Sequence, residues 1–182
     1  MLLFIKYLIQ LVLSPSHGWE DIEHDNPSPE RLMHRGLVPL AGIAAASEFF
    51  ALFWERGLSA ATVAVRAIVD FGTYFVAAYI AKLIFDMYIY RVTDGEPDNR
   101  RSFTLAVIAV GMMAAIRIFD NLLPWNLVLM RFLPLYIVLV IYKAAPYMHV
   151  RRNREMNFMI LASAATVAVP LAIYYLFFFI LP

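Results

Sequence analysis

LSAATVAVRAIVDFGTYFVAAYIAKLIF (Leu58–Phe85) runs for 28 residues with only Arg66, Asp70 and Lys82 as ionisable groups. About 20 predominantly apolar residues are enough to cross a hydrocarbon core about 30 Å thick. A buried helix of a soluble domain is shorter and bounded by polar faces. This stretch therefore reads as a membrane span, and the whole chain shares its composition. Of the 182 residues 62% are hydrophobic and 16% are charged, with a mean hydropathy of +0.68. A single soluble core at this length does not absorb so much apolar surface.

Four further apolar runs occupy 36–54, 102–119, 122–145 and 156–181. Together the five predict an all-α integral membrane bundle of five transmembrane helices over 36–182, preceded by a cytoplasmic or interfacial segment over 1–35. Only Asp120 and Asn121 separate the third run from the fourth before Leu122, so a tight re-entrant pair is the alternative to two full crossings. Lys6, Arg31 and Arg35 precede the first run, Arg91, Arg100 and Arg101 follow the second, and Lys143, Arg151, Arg152 and Arg154 follow the fourth. The other side carries Arg56 and Arg117 near its boundaries. The positive-inside rule then puts the N-terminus in the cytoplasm and, with five spans, the C-terminus outside. The basic inner face suits the lipid bilayer's anionic head groups, as that of any correctly oriented membrane protein does. The polar connection at 91–101 is expected to be a cytoplasmic loop.

Cysteine is absent, which excludes disulfides, thiolate metal sites and cysteine nucleophiles. No cleavable leader is evident at the start. Leu2 to Leu13 instead predicts an amphipathic interfacial helix, with Phe4, Ile5, Leu8, Leu11 and Val12 toward lipid. Ser14-Pro15-Ser16 stops it and caps a second helix. In that helix His17, Asp21 and His24 stand at i, i+4 and i+7, a spacing that puts metal-binding side chains on one face. A fourth ligand is missing, so the expectation is a solvated polar face opposite Trp19 and Ile22, which dip into the interface, and no metal.

Four ionisable residues lie deep inside the runs: Glu48, Arg66, Asp70 and Arg131. At about 1.5 Å per residue they sit some 9 to 18 Å from the outer ends of their spans. Each costs roughly 2.5 to 3.5 kcal/mol at a membrane helix centre, so each must pair, face water or carry out a function. Their charges cancel, and Arg66 and Asp70 are i, i+4 on one helix. The expectation is an intramembrane charge network that clamps the first, second and fourth spans together. The functional alternative is a site for a proton, an ion or a polar head group at Glu48 or Asp70. Pro134 would break the backbone beside Arg131. Lys82 with Asp86, and Arg117 with Asp120, are read as pairs that snorkel at the two edges. Gly42 with Ala46, Ala77 with Ala81 and Gly111 with Ala115 predict close helix approaches.

The marks of enzymes are missing: there is no G-x-S-x-G, P-loop, H-E-x-x-H or dinucleotide fingerprint, and no cofactor is expected. The basic residues are scattered over short membrane-side loops, so no nucleic acid is expected as a partner. Ser14-Pro15 followed by Trp19 and Ile22, then Pro39-Leu40, is similar to the opening of bacterial members of the Yip family of five-span membrane proteins. The tract Tyr136-Ile137-Val138-Leu139-Val140-Ile141-Tyr142-Lys143, with Pro146 and Met148, resembles that family's fourth-to-fifth region. The Asp-Leu-Tyr-Gly-Pro signature of the eukaryotic branch, whose members interact with Rab-type GTPases, is not present.

The resemblance implies a non-enzymatic protein of a bacterial inner membrane, acting in membrane organisation or as a module that binds a protein partner or a second copy. It offers no catalytic residues. The alternative is a small transporter or lipid-translocating protein that uses Glu48 and Asp70 with Arg66 and Arg131.

Overall fold

The computed structural model describes residues 1–54, 57–93, 98–123 and 132–180, and it is helical throughout. Among the described residues no strand forms, and one isolated antiparallel bridge joins Thr93 to Val150. Two short helices come first: α1 (Leu2–Leu13) and α2 (Pro15–Asp25). Then come α3 (Pro29–Trp54), α4 (Ala60–Tyr88) and α5 (Asn99–Leu122). The short α6 (Leu133–Tyr142) and the long α7 (Arg152–Phe177) complete the chain. By length and composition four of these, α3, α4, α5 and α7, can cross a membrane. Four such helices in one chain fit a multi-pass membrane protein.

The helix ends follow from local chemistry. The Ser14 N–H donates to the carbonyl of Gln10 at 2.7 Å and closes α1, and Pro15 opens α2 in the first turn, where its missing N–H removes no bond. Asn26 ends α2 at φ 40°, a left-handed position that asparagine tolerates better than most residues. The Ser28 hydroxyl accepts from the Arg31 N–H at 3.1 Å and caps α3. Ser59 caps α4 the same way, and the Asp98 carboxylate caps α5 through the Arg100 and Arg101 N–H groups. Both α3 and α7 contain a π-helical turn, Met33–Leu37 and Ala164–Ala168, each followed closely by a proline, Pro39 and Pro170.

The central helix is α5: every residue from Ser102 to Ala114 is buried, as its all-round apolar surface requires. The outside of the bundle is apolar as well. Ile68, Leu83, Leu135, Ile160 and Phe179 are 59 to 87% exposed, far more apolar surface than a soluble monomer leaves to water.

Several expectations need correction. Phe4, Leu8 and Leu11 of α1 are buried inside the protein and do not face lipid, and Ile5 is half-buried; Val12 is exposed as expected, with Leu2, Ile9 and Leu13. The cause is a slot without side chains. A Cβ at Gly36 would stand 2.4 Å from the Phe4 ring, and one at Gly111 would stand 2.5 Å from its tip. Trp19 and Ile22 do not dip into an interface but are buried in the core. Pro134 stands in the first turn of α6, and Arg131, beside which it was expected to break the backbone, lies outside the described residues. Gly42 has only Phe71 at 3.9 Å and Ala46 is exposed, so this pair makes no close approach, whereas Ala77 and Ala81 are fully buried. Part of the connection read as a loop, 94–97, lies outside the described residues.

Candidate functional site

Arg117 lies five residues before the end of α5 and gathers side chains from three other helices. Its Nη2 donates to Glu48 Oε1 at 2.6 Å and to the Tyr174 hydroxyl at 2.8 Å. Its Nε donates to Asp70 Oδ2 at 3.1 Å, and its Nη1 lies 3.4 Å from Asp120 Oδ2, one turn along α5. The guanidinium also stacks over the Tyr174 ring, 4.7 Å from its centroid. Glu48 sits in a 3-10 turn near the end of α3 and takes a second bond, 2.7 Å from Asn121 Nδ2, which also donates to Ser47 at 2.9 Å. Glu48 and Asp70 are each 2% exposed, so the pairing does not compete with water.

Of the four charges singled out in the sequence, Glu48 and Asp70 therefore meet, on Arg117. Arg66 lies half-buried on α4, one turn before Asp70. Arg131 lies outside the described residues. Arg117, which the spacing with Asp120 put at the edge, is the hub. The available signal was its place on the most uniformly apolar run, where a cation about 8 Å from the helix end is drawn to acids on neighbouring helices.

Beside this cluster a cavity of about 800 Å³ opens between α4, α5, α6 and α7. Asp70, Arg117 and Asp120 line it together with Leu135, Val138 and Leu171. The volume falls within the range of pockets that hold small ligands.

At the opposite end of α5 a second junction forms. The Trp19 indole N–H donates to the carbonyl of Val140 at 2.9 Å, and its ring stacks on Tyr147 at 5.1 Å and 26°. Arg101 binds Glu23 at 2.9 Å and Asp98 at 3.3 Å, donates to His149 Nε2 and the Tyr147 carbonyl, and lies over the Tyr147 ring. Burial pushes the Tyr147 phenol up to about 12. Here the tract Ser14, Pro15, Trp19, Ile22 meets the tract running from Tyr136 to Met148, over 100 residues away; Pro39 stands elsewhere, just past the π turn of α3.

The trio His17, Asp21 and His24 does not converge. His17 pairs with Glu20 at 3.0 Å, Asp21 accepts from Gln10 at 2.6 Å, and His24 lies 3.6 Å from Asp25. Among the described residues no three His, Cys, Asp or Glu side chains are grouped so that they could hold a metal ion. Lys82 and Asp86 pair at 2.6 Å. The chain matches no protein-family model, no curated protein and no solved structure.

Proposed function

We propose that the chain is a non-enzymatic, five-span membrane protein of the Yip type, with its N-terminus and α1 at the cytoplasmic face of a bacterial inner membrane. In this reading it acts in membrane organisation or as a module that binds a partner. The observation that carries the proposal is the Trp19 junction, where two tracts similar to the Yip family dock on each other and fix α2 against the bundle. A fifth crossing has support from the helix ends. Arg117 and Tyr174 join the far ends of α5 and α7, whereas Thr93 and Val150 pair at the other end, just before α7 starts. A return of the chain between Leu122 and Arg152 along α6 fits those two ends.

The same buried ion cluster fits a clamp, because its guanidinium is satisfied by protein acceptors from α3, α4, α5 and α7. A second reading, a small transporter or lipid-translocating protein, is favoured by the cavity next to those carboxylates. Proton, ion and fluorescent-lipid flux in proteoliposomes separates the two. Absence of flux is the result expected here. Flux that disappears in folded Glu48→Gln and Asp70→Asn variants would overturn the proposal and establish the transport reading.

A further inference from the structure

The Arg117 cluster has an imbalance that a clamp does not require. Three carboxylates, Glu48, Asp70 and Asp120, lie within salt-bridge distance of one guanidinium. Among the described residues the acids at this site outnumber the guanidinium three to one, and Arg66 stands one turn from Asp70. Hydrogen bonding is lopsided in the same sense. The guanidinium directs four of its five N–H groups to Glu48, Asp70, Asp120 and Tyr174. An ionised carboxylate accepts about four bonds; Arg117 donates one to each acid, and Asn121 donates a second to Glu48. The site therefore has acceptors to offer and its arginine is engaged. An incoming anion would meet carboxylates first, whereas a cation with N–H donors finds both charge and acceptors.

The walls narrow the ligand further. Asp120 is 44% exposed at the rim, Asp70 lies deeper, and apolar side chains of α6 and α7 line the same cavity. A small hydrated cation would leave those side chains unused. Tyr175, which lines the cavity and is 67% exposed, adds an aromatic face set at 80° to Tyr174.

We infer that this cavity holds a membrane lipid with a primary-ammonium headgroup, the ammonium between Asp120 and Asp70 and an acyl chain along Leu135, Val138 and Leu171. The inference rests on the chain lying in a membrane and is independent of whether it binds a partner.

The test is lipid retention by the full chain, measured by native mass spectrometry from a non-ionic detergent with equimolar phosphatidylethanolamine, phosphatidylcholine and phosphatidylglycerol. Retention of the ethanolamine lipid about tenfold above the glycerol lipid is expected, on the scale of one hydrogen bond to a charged group. The choline lipid, a cation without N–H donors, should fall between them. Asp120→Asn, at the rim, should bring the three toward parity. Leu135→Trp, at an exposed wall position, should lower retention of the ethanolamine lipid even if the first variant does not fold. Equal retention of all three, preference for the glycerol lipid, or a preference untouched by both substitutions overturns the inference. Flux and retention are read separately, so failure here leaves the partner-binding proposal standing, and flux without selective retention removes only the ligand.

Discussion

Phe4 reaches the centre of the bundle because Gly36 and Gly111 leave room for a phenyl ring and nothing more. Gly111→Ala should therefore cost about 1 to 3 kcal/mol through overpacking, read as a lower melting temperature in detergent. Gly42→Ala, which meets only Phe71 at 3.9 Å, should leave it unchanged or raise it. The sequence showed small residues at helical spacing but not which of them faced a partner, since a glycine looks the same against a ring as against lipid. The buried acids were legible because charge in an apolar run is conspicuous. Their partner was not, because Arg117 and Asp120 at i, i+3 already form a plausible local pair. Asp70→Asn removes a carboxylate from a buried guanidinium, and the melting temperature should drop by the equivalent of about 3 to 5 kcal/mol. An unchanged value would sink the clamp.

The helices α1 and α2 dock through polar bonds set among apolar contacts. At the end of α6 the Ala144 N–H turns to the carbonyl of Ile141, and the Val140 carbonyl is met by the Trp19 indole. Trp19→Phe keeps the ring and removes the donor. It should cost about 1 to 3 kcal/mol and raise protease cleavage or hydrogen exchange in α2 before the rest of the bundle responds. Between the two short helices the Tyr7 hydroxyl donates to Asp25 Oδ2 at 2.9 Å. That bond holds the Asp25 carboxyl below its ordinary value of 3.8, while burial and the same bond push the Tyr7 phenol up. A depressed carboxyl adds stability above its unfolded pKa and loses it as pH falls through the folded one. Tyr7→Phe should therefore lower the melting temperature at pH 7, and the gap to the natural chain should close below about pH 4. Sequence periodicity gave α1 a correct helix but the wrong destination for its inner face. Apolar spacing alone does not tell lipid from protein, and only the glycine slot on two distant helices decides it.

For the molecule as a whole, composition alone indicated a helical membrane protein, and four helices long enough to span follow from it. Orientation can be checked directly, since the chain has no cysteine of its own. Single cysteines at Ser16, Gly57 and Arg152 should label from the inner, outer and inner sides of oriented vesicles, and one at Phe179 from the outer side. Labelling of Ser16→Cys and Phe179→Cys from the same side would mean an even number of crossings and remove the five-span proposal.

The two π turns, in α3 and α7, each hold one residue more than a regular helix of the same rise. One residue is about 100° of rotation, so the stretches before and after such a turn present different faces than an unbroken wheel assigns them. Losing one residue within Met33–Leu37 and one within Ala164–Ala168 would hardly alter composition, hydropathy or charge, yet it would turn Glu48 and Tyr174 away from Arg117. What these turns fix is a length, and a deletion there should be tolerated less well than a substitution.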